Sequence, residues 1–135
     1  MDGEFGGAGP DTQTGHVTPV PSRKEKAMML QATQGANTTI AIVATDAPLS
    51  KTQCHRLAVT AHDGMARAIV PSHTPLDGDL VFGVATGDGV PVDQTQFREI
   101  AAAGAVCLSR AIARGVYEAT RAPGDIIPTY FDLNS

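Results

Sequence analysis

The amino-acid sequence predicts one α/β domain in which helices cover a sheet. Residues 38–45 and 80–86 are short apolar runs bounded by turn signals, as is typical of strands, and the first is predicted to be buried on both faces. Two segments, one from Lys51 and one after Asp93, repeat apolar residues at helical spacing. The order strand, helix, strand, helix indicates a layered α/β arrangement. Because two strands make a thin sheet, we expect the rest of the sheet to come from elsewhere.

The composition narrows the class of protein. The chain has 135 residues, of which 42% are hydrophobic and only 4% aromatic, so it can bury one core built from Ala, Val, Ile and Leu. A net charge of −4 without a basic cluster argues against binding to nucleic acid or to an anionic membrane. No apolar run approaches the length of a membrane span, and the N-terminal region lacks the apolar core of a signal peptide. We therefore expect a cytoplasmic protein.

The chain divides into a linker and a domain. Residues 1–26 are rich in Gly, Pro, Asp, Thr and Ser and lack periodicity, so they are predicted to be a disordered linker. Residues 27–135 form the domain. Within it, residues 27–35 leave helix and strand open, and the tail at 122–135 is predicted to be an extended arm or an interface segment.

Capping patterns mark the start of both helices. Each has a side-chain acceptor at the N-cap and a Gln three residues later, an arrangement that satisfies free N–H groups of the first turn. The pairs are Ser50 with Gln53 and Asp93 with Gln96. The first helix is therefore predicted to begin at Lys51 and to end near residues 69–70, ahead of Pro71.

Small residues on the helix faces predict close packing. Gly104 and Gly115 lie on the apolar face of the second helix, where an exposed glycine costs about 1 kcal/mol relative to alanine. We therefore expect both at points where another backbone comes close. The two cysteines, Cys54 and Cys107, lie on predicted helices as small hydrophobic residues and form no metal-ligand pattern.

A candidate nucleophile lies at the start of the first strand. Small and polar residues lead to Asn37, and Thr38 and Thr39 then supply two hydroxyls where the strand begins. If the Thr38 hydroxyl attacked the carbonyl of Asn37, the new chain would begin with a threonine whose α-amine, with a pKa of about 8, can take the proton of its own hydroxyl. From these residues alone, a polar strand start is the simpler interpretation. The triplet also fits the glycosylation pattern of secreted eukaryotic proteins.

Asp77-Gly78-Asp79 is a second candidate, because it comes directly before the second strand. If both strands start at the same edge of the sheet, the two carboxylates approach Thr38. Closely spaced carboxylates raise the pKa of one of them, and such a pair can hold a hydroxyl and an ammonium group while moving a proton. The simpler interpretation of Asp-Gly-Asp is a turn. His73 in the same loop is a weaker candidate for a base or a ligand, and His62 on the first helix is weaker still.

These motifs together resemble a known family. Residues 37–49, 61–69, 73–79 and the pair Val81-Phe82 are similar to the DmpA-type aminopeptidases. That family includes β-peptidyl aminopeptidases and the nylon-oligomer hydrolases, which act on 6-aminohexanoate oligomers. The resemblance covers residues 35–120 and is more specific than any one of the motifs.

The resemblance implies a fold and a mechanism. Members are made as one precursor that cleaves itself into an α and a β chain, and the first residue of the β chain becomes the nucleophile. By resemblance, cleavage falls between Asn37 and Thr38, Thr38 is the nucleophile, and Asp77 and Asp79 lie beside it as catalytic residues. The implied fold is an αββα sandwich, with helices outside two stacked sheets, assembled as a homo-oligomer and commonly a tetramer. The implied substrate is a small peptide or amide, hydrolysed through an acyl-enzyme ester without a metal or an organic cofactor.

Two other interpretations stay open. The ornithine acetyltransferases share the implied fold and a similar threonine start, so an acyl transferase is the alternative enzyme, although the Asp-Gly-Asp segment favours the peptidase branch. In the peptidases a Lys and an Asn far upstream complete the site, and none of the 37 residues before Thr38 matches them. We therefore expect this chain to be the C-terminal, β-chain portion of a family member. Its expected partner is the α portion of the same precursor. A truncated, non-catalytic remnant is the third interpretation.

Overall fold

A computed structural model describes residues 38–75 and 77–134 of the chain. In this part the elements are β1 (Ile40–Thr45), α1 (Lys51–Ala68), β2 (Leu80–Ala85), α2 (Gln94–Tyr117) and α3 (Tyr130–Asn134). The predicted linker at residues 1–26 and the undecided run at 27–35 lie outside the described residues. The predicted order of two strands and two long helices is confirmed, and the chain is of the α/β class.

The two strands form a parallel pair. Their register runs from Ile40 opposite Leu80 to Thr45 opposite Ala85. The ladder continues before β1, where the N–H of Leu80 donates to the carbonyl of Thr39 at 3.0 Å. Parallel strands need a crossover connection, and α1 supplies it, so β1, α1 and β2 form a βαβ unit. Both strands therefore start at the same edge of the sheet.

Both long helices begin where their capping patterns predict. The Ser50 hydroxyl accepts from the N–H of Gln53 at 3.2 Å, and the Gln53 side chain accepts from the N–H of Ser50 at 2.9 Å. Asp93 and Gln96 make the same reciprocal pair at the start of α2, at 2.9 and 3.2 Å. Because these bonds involve only neighbouring residues, they fix each helix start locally.

An aliphatic cluster lies between the helices and one face of the sheet. Leu57, Ala61 and Met65 of α1 are completely buried. They join residues of both strands and of α2, namely Val43, Val81 and Leu108. This cluster contains no aromatic side chain, in agreement with the core that the composition predicts.

Glycines set how closely the elements approach. A Cβ on Gly64 of α1 would overlap the carbonyl oxygen of Ala105 on α2, so these two helices touch backbone to backbone. A Cβ on Gly104 would lie 2.9 Å from the Leu57 side chain, so side chains crowd this position. The expectation that another backbone comes close is therefore wrong for Gly104. The prediction for Gly115 is also wrong, because among the described residues no atom outside its own stretch of α2 lies within 4 Å of its Cβ position.

The helices cover only one face of the sheet. On the other face, which we call the open face, alternate residues of both strands stay exposed. The exposed fractions are 66% for Ile40, 66% for Ile42, 54% for Phe82 and 39% for Val84. The prediction that the first strand is buried on both faces is therefore wrong in the described part of the chain, because both helices pack on the same side.

Two further expectations need correction. Among the described residues, α2 is long and apolar enough to cross a membrane by length and composition, whereas we expected no run of that kind. One such helix is weak evidence for a membrane, because core helices of water-soluble domains and signal sequences pass the same test. The tail is also not wholly extended, because it carries α3, whose Tyr130 ring lies 5.3 Å from that of Tyr117.

Candidate active site

The start of the parallel pair brings the sequence candidates together. Thr38 leads into β1 and the segment 77–79 leads into β2, at the same edge of the sheet. Gly78 lies directly against the candidate nucleophile, since a Cβ on this residue would come within 2.6 Å of the Thr38 hydroxyl oxygen. With the Thr38 side chain in this conformation, glycine is the residue that fits beside its hydroxyl.

Asp79 holds the backbone that follows Thr38. Its Oδ1 accepts a hydrogen bond from the N–H of Thr39 at 2.9 Å, between residues 40 apart in the sequence. Its Oδ2 accepts from the N–H of His73 at 3.1 Å and lies 3.2 Å from Nδ1 of the same residue. The Asp79 side chain is only 6% exposed, so water competes little for these contacts.

These contacts decide the charge of Asp79. The N–H of Thr39 lowers the pKa of this carboxyl most, and burial opposes it. The N–H of His73, the Thr39 side chain and the His73 ring lower it further, because each favours the ionised form. The expectation that two close carboxylates raise the pKa of one of them is therefore wrong for Asp79. This group is a carboxylate at neutral pH and acts as an acceptor.

Asp77 makes a different contact. Its Oδ2 accepts from the N–H of Thr74 at 2.7 Å, and its own N–H donates to the carbonyl of Thr74 at 2.9 Å. This reciprocal pair links Asp77 to Thr74, ahead of the rest of the Asp-Gly-Asp segment. Of the two aspartates, Asp79 is therefore the one whose described hydrogen bonds reach the start of β1.

The two threonines face opposite sides. Alternation along β1 gives Thr38 the side of Ile40 and Ile42, which is the open face, and Thr38 itself is exposed. Thr39 is half-buried, and its side chain also bonds to Asp79. The predicted cleavage site includes Asn37, which lies outside the described residues, so the cleavage and the roles of Thr38, Asp77 and Asp79 stay predictions.

Sequence reasoning undervalued two histidines. His73 has a positive φ of 55° and contacts Asp79 through both its backbone and its ring. His62 of α1 reaches the same ring, with its Nδ1 3.2 Å from Nε2 of His73. The one sequence signal was the position of His73 in the loop that ends at Asp79. The contact with His62 depends on how α1 packs, which the sequence does not reveal.

The described residues contain no group of three or more His, Cys, Asp or Glu side chains arranged to hold a metal ion. Cys54 lies half-buried on α1 and Cys107 lies exposed on α2, and both are free thiols. The arrangement at the sheet edge is thus an exposed hydroxyl beside a glycine, with the next peptide held by a buried carboxylate. Such an arrangement suits nucleophilic attack by a positioned hydroxyl.

Comparison with known proteins decides the family, because residues 9–126, most of the chain, match the one described as peptidase family S58. The chain belongs to that family. The resemblance to the DmpA-type aminopeptidases and nylon-oligomer hydrolases is thereby confirmed.

Individual S58 relatives bear names of two kinds. An uncharacterized aminopeptidase of Mycobacterium tuberculosis is 49% identical over 108 residues, which are 72% of this chain and 31% of the relative. One from Mycobacterium leprae is 47% identical over 105 residues, 70% of this chain and 28% of the relative. A 6-aminohexanoate-oligomer endohydrolase of Kocuria is 39% identical over 56 residues, 42% of this chain and 16% of that enzyme. The chain spans about a third of the length of the mycobacterial relatives, 31% in the first.

Proposed function

We propose that this chain is the C-terminal portion of a self-processing amide hydrolase of family S58, in which Thr38 is the nucleophile. The observation that carries the proposal is the exposed Thr38 hydroxyl against Gly78, with the next peptide N–H bonded to the buried carboxylate of Asp79. Membership of a peptidase family and relatives named aminopeptidase and oligomer endohydrolase support the reaction class.

Self-processing is the first step of the proposed mechanism. The Thr38 hydroxyl attacks the carbonyl carbon of Asn37, and the peptide becomes an ester as the Thr38 nitrogen takes up a proton. Water then hydrolyses the ester. The products are a carboxylate at Asn37 and a new chain whose first residue, Thr38, carries both a free amine and its hydroxyl. The amine and the nucleophile are then on one residue.

Turnover repeats the same chemistry on a substrate. The α-amine of Thr38 takes the hydroxyl proton, the oxygen attacks the substrate carbonyl, and the proton passes to the leaving amine. Water hydrolyses the resulting acyl-enzyme ester and regenerates the hydroxyl. No metal or organic cofactor is required for any of these steps, and the substrate is a small peptide or amide.

Asp79 has a positioning role in this proposal. An ionised carboxylate that accepts the N–H of Thr39 fixes the peptide plane directly after the nucleophile, and with it the direction of the Thr38 side chain. Correct orientation of reacting groups accounts for much of the acceleration in enzymes. Asp77 bonds to Thr74 directly ahead of Gly78 and Asp79 and in this way holds the loop that leads to them.

The open face supports the wider architecture that we propose. Ile40, Ile42 and Phe82 expose between 54% and 66% of their surface on one side of a two-stranded sheet. Such a sheet needs further strands or a cover for stability. In the proposed αββα sandwich, the α portion of the precursor supplies the missing strands and the second sheet, and the assembled protein is a homo-oligomer.

Processing and turnover of the full-length protein test the proposal. Intact-mass spectrometry of the wild type is expected to show a chain that begins at Thr38, and release of product from an aminoacyl p-nitroanilide measures turnover. Thr38→Ala is expected to stay uncleaved and inactive, while Thr38→Ser, which keeps a hydroxyl, retains cleavage. Thr39→Val also cleaves, because its hydroxyl is one residue too late to be the nucleophile.

A folded wild-type precursor that stays intact and inactive after long incubation would remove the proposal and favour a non-catalytic remnant. Transfer of the acyl group to an added amine in preference to water would instead favour an acyl transferase.

A further inference from the structure

His73 meets one carboxylate oxygen with two of its own nitrogens. Its backbone N–H donates to Asp79 Oδ2 at 3.1 Å, and its ring Nδ1 lies 3.2 Å from that oxygen. The residue has a φ of 55°, a value that few residues other than glycine adopt, with Asn, Asp and His the most frequent among them. Local strain of this kind persists where surrounding contacts enforce it, and it clusters at functional sites. Here the enforced contact is the double one with Asp79.

A second histidine continues the chain of contacts. His62 comes from α1, and its Nδ1 lies 3.2 Å from Nε2 of His73, with the ring centroids 4.8 Å apart and the rings tilted by 58°. The partners assign the protons. Nδ1 of His73 faces a carboxylate and carries a hydrogen, so Nε2 of the neutral ring is an acceptor and takes the hydrogen of His62 Nδ1.

The result is a continuous series of polar contacts. It runs from His62 to His73, from His73 to Asp79 Oδ2, and across the carboxylate to Oδ1, which accepts from the N–H of Thr39. The series ends at the peptide that follows Thr38. It therefore joins the middle of α1 to the candidate nucleophile.

We propose that His62 and His73 are positioning residues for the reaction of Thr38, which hold Asp79 through this series and so orient the nucleophile. The inference rests on the proposed amide hydrolase. It adds two residues that touch neither the substrate nor the nucleophile and act through Asp79.

The protonation state of the two rings matters in this arrangement. One added proton fits, because either ring can carry two hydrogens while the other ring accepts. Two added protons do not fit, since hydrogen would then face hydrogen between His62 and His73. The other titratable or charged groups here are Asp77 in the loop and, on α1, Lys51, Cys54, His55, Arg56, Asp63 and Arg67.

Four variants of the full-length protein test the proposal. His73→Gly removes the ring but keeps the backbone N–H and tolerates the positive φ, and we expect kcat to fall about 10- to 100-fold, as when a partner that orients a functional group is removed, with KM nearly unchanged. The kcat of His62→Leu should also fall, whereas His62→Gln, whose amide can donate to His73, should keep most of the wild-type kcat at pH 8. His55→Gln, on the exposed part of α1, is the matched control and should behave as wild type.

Two readouts separate positioning from a merely structural role. The first is recovery of kcat in His62→Gln but not in His62→Leu, because only the amide can donate to His73. Imidazole ¹⁵N spectra should show both His62 and His73 with hydrogen on Nδ1 at high pH. Wild-type kcat in both His73→Gly and His62→Leu, or a His73 ring with hydrogen on Nε2 only, would overturn the proposal.

The spectra also separate this proposal from the one on which it rests. They can be recorded on uncleaved Thr38→Ala protein, which needs no activity. If the wild type neither cleaves nor turns over substrate, the proposed hydrolase fails, while the proton positions on His62 and His73 still report whether the hydrogen-bond series exists.

Discussion

Gly78→Ala tests the candidate site by moving one hydroxyl. The new Cβ would lie 2.6 Å from the Thr38 hydroxyl oxygen, but 3.5 and 3.6 Å from Thr38 Cγ2 and Cβ. Ordinary contact begins near 3.4 Å, so only the hydroxyl is too close and it must move by about 0.8 Å. Rotation of one side chain achieves this, because the short contact involves no backbone atom.

The expected result is a loss of rate without a loss of stability. A misplacement of about 1 Å at a reacting group can cost about 100-fold in rate. Gly78 does not have a positive φ, so alanine adopts its backbone conformation without strain. The melting temperature should therefore stay the same or rise slightly. Self-cleavage followed by intact mass, turnover of an aminoacyl p-nitroanilide and thermal unfolding measure the three quantities.

Two other glycines provide matched controls. Gly115→Ala meets no atom within 4 Å in an exposed helix, so it should add about 0.5–1 kcal/mol to the free energy of unfolding and leave the rate unchanged. Gly64→Ala forces a Cβ into the carbonyl of Ala105 and should cost about 1–3 kcal/mol. Wild-type rates in Gly78→Ala, or a stability loss as large as that of Gly64→Ala, would refute the placement of Thr38 against Gly78.

Three further outcomes follow from the aspartates and the open face. The pKa of Asp79 lies below its ordinary value of 3.8, so its contribution to stability is complete above that pH and is lost as the pH falls through the lowered pKa. The free energy of unfolding of wild type should therefore exceed that of Asp79→Asn at neutral pH and converge with it in acid, as measured by urea unfolding; a gap that widens in acid would contradict this. Asp77→Asn keeps an acceptor for Thr74 and should change turnover less than about tenfold, so a larger loss would give Asp77 a direct role. The 135-residue chain alone should associate or unfold without cooperativity, because its open face is uncovered; a monomeric, cooperative transition in sedimentation and thermal unfolding would show that the face needs no cover.

The sequence predicts the features that depend on neighbouring residues. The capping pairs at Ser50 and Asp93 fix the helix starts through bonds between residues three apart, so both starts are correct. The apolar runs predict the two strands for the same reason, although β1 begins at Ile40 and not at Thr38. The grouping of Thr38 with the segment 77–79 required only that the strands be parallel.

The features that sequence reasoning misses depend on packing. The exposure of Ile42 follows from both helices lying on one side of the sheet, and the space around Gly115 follows from nothing packing on that turn of α2. The lowered pKa of Asp79 arises from donors on two other segments, one of them the backbone of His73 in an uncommon conformation. No residue pattern encodes these contacts directly.

The geometry of the site depends on the fold of the βαβ unit, because the site forms only when β1 and β2 pair in parallel. Thr39 and Asp79 meet across 40 residues only because β1 and β2 start together. α1 packs closely on β2, since a Cβ on Gly83 of β2 would overlap the carbonyl of Cys54. This packing helps to hold the two strands in their pairing. A slip of one residue would turn Thr38 to the covered face and take the N–H of Thr39 away from Asp79. Substitution of Gly83 by a larger residue should therefore reduce both stability and rate, whereas substitution of Gly78 by alanine should reduce the rate alone.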